Sequence, residues 1–125
     1  KNKVFISASK YSLPGPEKVS GLMKTFIKEM KGAARKSHPV EYSAIAHKNL
    51  VFIHPFIDGN GRVARLLMNL ILLRKGYCLA IIPPILRRDY INALEQAHTD
   101  DKNFRKFIAK RVKETQQDYL RLLKS

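Results

Sequence analysis

The chain has 125 residues, 45% of them hydrophobic, which is enough for one globular domain with its own core. Its formal net charge of +14 favours anionic partners, and its longest apolar run is broken at Arg74 and Lys75, which argues against a membrane span. Six glycines and six prolines form no low-complexity tract. Because Cys78 is the only cysteine, an internal disulfide is excluded, and we expect a cytoplasmic protein, although delivery into another cell fits the same sequence.

The segment before residue 31 predicts one strand and one helix. Residues 4–11, Val-Phe-Ile-Ser-Ala-Ser-Lys-Tyr, begin with β-branched and aromatic side chains and precede Leu-Pro and Gly-Pro, a pattern typical of a strand followed by a turn. Proline is favoured in the first turn of a helix, so a helix should begin at Pro16. The apolar residues that follow at helical spacing and predict its core face are Val19, Leu22, Met23, Phe26, Ile27 and Met30.

A second helix should start at Pro39 and run to the residues before His54. Glu41 lies in its first turn, where the helix dipole favours a negative charge. Pro55 disfavours the helical conformation at the residue before it, so the helix should stop there and leave the His54 imidazole in a loop.

The loop after His54 has the composition of a phosphate-binding loop. Gly59 and Gly61 flank Asn60, and glycines in this arrangement allow successive N–H groups to curl around phosphate oxygens. A helix should then begin near Arg62, with the positive end of its dipole facing the loop.

Arg62 and Arg65 lie three residues apart on one face of the first turn of that helix. A cation at this end of a helix is disfavoured by ~0.3–1 kcal/mol, so we expect a bound anion to compensate. A nucleotide polyphosphate is the simplest candidate, and Asp58 would supply an oxygen ligand for the Mg²⁺ that accompanies it.

The rest of the chain predicts an all-α, mainly helical bundle. We expect the apolar helix after the loop, capped by Gly76, to be the central buried helix, with the others packed around it. Two more helices are predicted, from Leu86 to Ala97 and from Asp100 to about Lys124. The inward face of the last helix is predicted to consist of Phe104, Phe107, Ile108, Val112, Thr115, Tyr119 and Leu122.

Residues 54–65, His-Pro-Phe-Ile-Asp-Gly-Asn-Gly-Arg-Val-Ala-Arg, match every fixed position of the signature His-x-Phe-x-Asp/Glu-Gly-Asn-Gly-Arg-x-x-Arg. On these residues the chain resembles the Fic domain family. The likeness continues outside the motif, in residues 37–42, 66–69, 76–77 and 88–90.

The resemblance implies a Fic-like helical bundle with a small β-hairpin flap, and a single domain over residues 1–125. Most members of the family transfer AMP from ATP to a protein hydroxyl. The chain is therefore expected to be a protein adenylyltransferase that modifies a Ser, Thr or Tyr side chain of a target protein and releases pyrophosphate.

The resemblance also assigns roles to the motif residues. His54 would be the general base that takes the proton from the attacking hydroxyl, a role that suits an imidazole with an ordinary pKa of ~6.5. Asp58 would hold Mg²⁺ on the phosphates, and residues 59–61 would bind the transferred group. Arg62 and Arg65 would hold the outer phosphates. The second glycine of the motif is intact, which favours AMP transfer, because some relatives that lack it phosphorylate instead.

Further contacts are implied outside the motif. Residues 4–11 occupy the place of the flap, which in relatives lines up a target segment by strand addition. The candidate contacts beyond the motif are Ser9, Lys10 and Tyr11 in the flap, and Tyr90 and His98 where relatives contact the base or the ribose.

Many Fic enzymes are restrained by a helix carrying Ser/Thr-x-x-x-Glu-Gly/Asn, whose glutamate pairs with the second motif arginine, here Arg65. The chain has only partial matches, at residues 25–30 and 37–42. Because it begins at Lys1 without a methionine, we expect it to be the core of a longer protein. An inhibitory helix would then precede it, or a separate antitoxin-like partner would supply one.

Three alternatives stay open on the sequence alone. His47 lies seven residues before His54 on the same helical face, and the two histidines with Asp58 would form a two-histidine, one-carboxylate metal site; His47 would otherwise pack in the core. The basic clusters at residues 24–36, 87–88 and 102–113 would attract nucleic acid in a salt-dependent way, although no reading helix, zinc spacing or aromatic platform accompanies them. The third alternative is a Fic-type enzyme that uses another phosphate-containing donor.

Overall fold

The computed structural model describes residues 14–53 and 59–124. Within these ranges the regular secondary structure is helical throughout: α1 (Pro16–Lys36), α2 (Pro39–Ile53), α3 (Asn60–Arg74), a 3-10 turn at Pro84–Leu86, α4 (Arg87–Gln96) and α5 (Lys102–Lys124). The predicted strand at residues 4–11 lies outside the described residues. The all-α class is confirmed, and none of the helices in these two ranges is long and apolar enough to cross a membrane.

Prolines and a glycine set the helix ends, as predicted. α1 begins with Pro16 and α2 with Pro39. The start of α2 has a further signal that the sequence pattern does not show, because the His38 ring accepts a hydrogen bond at Nδ1 from the Val40 N–H, 3.1 Å away, as a capping side chain does. α3 ends two residues before Gly76, whose φ of 83° lies in the left-handed region.

Gly76 provides a test of this helix end. A side chain on a left-handed residue costs about 1 kcal/mol or more, so Gly76→Ala should lower the free energy of unfolding by about that amount, although nothing lies within 4 Å of the added methyl group. Gly32→Ala, four residues before the end of α1 and in an equally open space, should raise it by up to about 1 kcal/mol because alanine is the better helix former. Chemical denaturation of both variants measures the difference, and shifts of the same sign and size would contradict the two assigned backbone conformations.

α2 is the centre of the bundle. It packs against α1, α3 and α5, while α4 packs against α5. Small residues such as Ala44 and Ala46, both fully buried, let neighbouring helices approach from several sides. The buried residues of α2 are Val40, Ser43, Ala44, Ala46, His47, Leu50, Val51 and Ile53.

The expectation that the helix after the motif would be the central one is wrong. α3 buries one stripe, in which Ala64, Met68 and Leu72 are fully enclosed. On its other faces Leu66 is 60% exposed and Leu73 is 55% exposed. Because apolar residues surround the axis of α3 almost completely, their spacing alone does not show which face is packed.

The predicted core faces of α1 and α5 are buried only in part. In α1 Phe26 is buried but Ile27 is 49% exposed, and in α5 Phe104 is buried but Leu122 is 71% exposed. α5 has 23 residues and α2 has 15, which correspond to lengths of about 34 Å and 22 Å. The last turns of α5 therefore extend past the helix on which its first turns pack.

A cluster of charged side chains links the start of α5 to α2. Lys48 Nζ lies 3.0 Å from Asp101 Oδ2, and Arg105 Nε lies 2.9 Å from Asp101 Oδ1. Arg105 also reaches Glu41 at 3.6 Å. Burial alone would raise the pKa of Asp101, but the hydrogen bonds and positive charges of Lys48 and Arg105 outweigh it, so the pKa is lowered. The cluster fixes the turn of α5 that carries Phe104 into the core.

Candidate functional site

The loop predicted to bind phosphate leads directly into α3. The helix begins at Asn60, slightly earlier than predicted, and Gly59 before it has a φ of 79°, in the left-handed region that glycine adopts without steric cost. The Val63 N–H donates to the Gly59 carbonyl at 3.0 Å. The N–H groups of the turn before Val63 therefore lie at the positive end of the helix dipole, where anions bind favourably.

The two motif arginines have different surroundings. Arg62 is exposed, whereas Arg65 is partly buried and reaches α4. Arg65 Nη1 donates to the Tyr90 hydroxyl at 3.4 Å, and the guanidinium carbon lies 6.0 Å from the centre of the Tyr90 ring. A Cβ on Gly61 would lie 3.2 Å from the same Nη1, so the glycine leaves Arg65 the space that it occupies. Arg65 is thus the fixed arginine of the pair.

Tyr90 joins Arg65 to His47 in the core. The Tyr90 hydroxyl lies 2.8 Å from His47 Nε2, and the two rings meet edge to face with their centres 5.6 Å apart. Phe104 also packs on the His47 ring, at 5.1 Å between ring centres. Tyr90 is 4% exposed and His47 is completely buried, so solvent does not reach their hydrogen bond.

Burial controls the protonation of this pair. It lowers the pKa of His47 to about 3, and the positive charge of Arg65 lowers it as well, against a smaller rise from the backbone of His47 itself. Burial raises the pKa of Tyr90, while Arg65 and Arg87 act in the opposite direction. The imidazole is therefore neutral and the phenol protonated at neutral pH. The hydroxyl satisfies both partners when it accepts from Arg65 and donates to His47 Nε2, which leaves the imidazole proton on Nδ1.

A pocket of about 280 Å³ opens beside Arg65. Two guanidinium groups in one pocket suit a phosphate or a carboxylate. Arg87 was not among the residues singled out by the motif, because it lies on a different helix. The pocket is lined by Arg65, Ile82, Pro83, Pro84, Arg87 and Tyr90.

His98 lies near the end of α2. Its ring stacks on Phe52 with the ring centres 3.8 Å apart, and Phe52 is the second-last residue of α2. Phe52 also lines an apolar pocket of about 290 Å³ between α1 and α2. Burial lowers the pKa of His98. The negative charge of Glu95 acts in the opposite direction, and the positive charge of Lys48 lowers the pKa further. The proposed contacts of His98 and Tyr90 with a base or ribose stay predictions.

Five of the predicted site residues lie outside the described ranges, and their roles also stay predictions. The structure argues against His47 as a ligand of the alternative metal site, because its ring is completely buried and its Nε2 is hydrogen-bonded to Tyr90. Within the described parts of the chain, no three His, Cys, Asp or Glu side chains are grouped to hold a metal ion. The predicted site residues outside the described ranges are Ser9, Lys10, Tyr11, His54 and Asp58.

Comparison with known proteins identifies the family to which the chain belongs. The model of the Fic/DOC family matches residues 2–72, more than half of the chain. The chain therefore belongs to the Fic/DOC family.

Individual relatives are consistent with that assignment. Protein adenylyltransferase Fic of Drosophila ananassae is 43% identical over 122 residues, covering 96% of this chain and 24% of that protein. Fic-1 of C. elegans, solved over its residues 134–508, superposes with a TM-score of 0.87 at 34% identity, covering 99% of this chain and 36% of that one. A Fic domain containing signaling protein from Bacteroides thetaiotaomicron gives a TM-score of 0.71 at 31% identity, covering 90% of this chain and 46% of that one. The fold is thus Fic-like, and the chain spans about a quarter of the length of the curated relative that it matches.

Proposed function

We propose that the chain is a protein adenylyltransferase, which transfers AMP from Mg·ATP to a Ser, Thr or Tyr hydroxyl of a target protein. The observation that carries the proposal is the complete motif at residues 54–65, which leads into the α3 N-terminus with Arg65 fixed beside it. Relatives named protein adenylyltransferase Fic support the same activity.

The ATP phosphates would bind at the start of α3. Backbone N–H groups and the helix dipole favour negative charge there, and Arg65 would hold the outer phosphates from the side of α4. Arg62, which is exposed, is free of burial constraints and would turn toward the same phosphates. Gly61 keeps the first turn narrow enough for Arg65 to lie across it, since a Cβ would come within 3.2 Å of Nη1.

His54 would act as the general base. It takes the proton from the target hydroxyl, whose oxygen forms a bond to the α-phosphorus while the bond from that phosphorus to the bridging oxygen of pyrophosphate breaks. Pyrophosphate leaves with the electron pair, and Asn60 with the flanking glycines stabilises the charge that develops on the transferred group.

Asp58 would hold the Mg²⁺ that accompanies ATP. Magnesium is usually bound by one or two carboxylates together with substrate phosphates and water, and the motif offers one carboxylate beside a phosphate-binding helix start, so the donor set fits. When bound, the ion offsets the negative charge that collects on pyrophosphate.

The flap, the domain extent and the regulation belong to the same proposal. Residues 4–11 would form the hairpin that aligns a target segment, with Ser9, Lys10 and Tyr11 as its contacts, and His98 would lie against the nucleoside. Residues 1–125 would form one Fic-like domain. In a longer protein its restraint would come from an inhibitory helix or from a separate partner that pairs with Arg65.

The position of the label after reaction with ATP tests the proposal. The protein is incubated with a cell lysate and with ATP labelled either on the α-phosphate or on the γ-phosphate. We expect proteins to become labelled from α-labelled ATP and not from γ-labelled ATP, because AMP carries only the α-phosphorus. Label from the γ-phosphate would show phosphoryl transfer and would contradict AMP transfer.

A further inference from the structure

A chain of hydrogen bonds runs from the partly buried Arg65 through Tyr90 to the buried His47 and joins three helices. Arg65 lies on α3, Tyr90 on α4 and His47 on α2, and the successive distances are 3.4 Å and 2.8 Å. We propose that Tyr90 and His47 are positioning residues, which hold the Arg65 guanidinium in the place where it binds the outer phosphates of the nucleotide. The inference rests on the function proposed above and assigns to these two residues a role in it.

His47 has a property that packing alone does not explain. Its ring is completely buried, and among the described residues its Nδ1 has no hydrogen-bond partner. A buried polar atom without a partner destabilises a fold, and an apolar side chain of similar size would fill the same space without that cost. What the histidine adds is an acceptor at Nε2 for the Tyr90 hydroxyl.

Tyr90 in turn restricts Arg65. The side chain of an arginine near the start of a helix has many rotamers, and most of them point the guanidinium away from any one phosphate. The Tyr90 hydroxyl and ring lie on one side of the Arg65 guanidinium, and the absence of a Cβ at Gly61, which would lie 3.2 Å from Nη1, leaves room for this position. An arginine held in this way is preorganised for bidentate phosphate binding.

The direction of the hydrogen bonds makes the three side chains depend on one another. A guanidinium can only donate, so the Tyr90 oxygen accepts from Arg65 and its own proton is left for His47 Nε2. Removal of the hydroxyl therefore releases Arg65. Removal of the acceptor on His47 allows the hydroxyl to turn away from its present direction.

A double-mutant cycle on nucleotide binding tests the proposal. The dissociation constant for Mg·ATP is measured by calorimetry for the unaltered protein, Tyr90→Phe, Arg65→Ala and the double variant. Tyr90→Phe keeps the ring and removes only the hydroxyl, and we expect it to weaken binding by about threefold to tenfold, the range of one net hydrogen bond. In the Arg65→Ala background the same change should have no further effect, because no guanidinium is left to position.

Two controls separate positioning from a general effect on the fold. AMP lacks the outer phosphates, so Tyr90→Phe should weaken AMP binding less than Mg·ATP binding; an equal loss for both would assign the effect to the predicted contact with the base or ribose and not to positioning of Arg65. Tyr77→Phe removes a hydroxyl from a similar pair at the other end of α3, where the Tyr77 oxygen lies 3.3 Å from His38 Nε2, and it should leave Mg·ATP binding unchanged. His47→Leu should weaken Mg·ATP binding in the same direction as Tyr90→Phe, whereas His47→Gln, which keeps an acceptor, should weaken it less.

The outcomes distinguish this inference from the proposed function. If Tyr90→Phe leaves Mg·ATP binding unchanged, or weakens it equally with and without Arg65, the positioning role is overturned while the proposed function stands. If the unaltered protein does not bind Mg·ATP at all, the proposed function fails and this inference fails with it.

Discussion

Replacing His54 with alanine should slow AMP transfer by about 100-fold to 10,000-fold, the contribution of a general base, while the dissociation constant for Mg·ATP changes little. The proposed role of His54 is to take the proton from the target hydroxyl. Binding of the outer phosphates is assigned to Arg65, which lies on α3. Initial rates with α-labelled ATP measure the first effect, and calorimetry measures the second.

His38→Ala is the matched control for the His54 variant. It removes a histidine that caps the start of α2 and has no proposed part in the reaction. It should lower the free energy of unfolding by about 1 kcal/mol and leave the rate of transfer unchanged. An unchanged rate in His54→Ala would refute the assignment of the base, and lost ATP binding in that variant would make His54 a binding residue instead.

The protein should begin to lose stability as soon as the pH falls below about 6.5, the ordinary pKa of histidine. The pKa of His47 is lowered by burial from 6.5 to about 3, so between these values the unfolded chain binds one more proton than the folded protein. The contribution to stability is therefore complete above pH 6.5 and is lost as the pH falls toward 3, by up to about 1.4 kcal/mol for each pH unit. Arg65 and Tyr90 face the ring, and neither offers a negative charge that would retain the proton.

Urea unfolding, followed from neutral pH down to about pH 5, measures this effect. His47→Phe has no proton to take up, so its free energy of unfolding should vary much less with pH, whatever its absolute value. The lowered pKa of Asp101 acts below its ordinary value of 3.8 and does not contribute in this range. His98→Gln is the control, because His98 is less deeply buried, and it should keep most of the slope; a full slope in His47→Phe would assign the effect to another group.

Local signals are sufficient to predict the helices and the motif. Pro16, Pro39 and Gly76 each act within about one turn of the chain, and the helices described in residues 14–53 and 59–124 begin and end within a few residues of the predicted positions. The groups of the proposed site are equally local, since they follow one another from His54 to Arg65. Their order along the chain therefore indicates phosphate chemistry without any information on how the helices pack.

Contacts between helices are not predictable in the same way. Arg65, Tyr90 and His47 come from three helices, and their meeting depends on how those helices cross, which the periodicity of each one does not contain. Asn69 is a similar case, because its side-chain oxygen accepts from the Ala80 N–H at 2.9 Å and so ties the segment after α3 back to that helix. The central position of α2 depends on the same packing.

Residues 54–59 lie between α2 and α3 in the sequence, and Tyr90 contacts both of those helices. It contacts His47 about two turns before the connection and Arg65 in the second turn after it. Tyr90 therefore adds a link through α4 to the direct packing of α2 on α3. The start of α3 and the Arg65 side chain are thus held in place before a nucleotide arrives, so folding of the bundle has already reduced the entropy that nucleotide binding would otherwise cost.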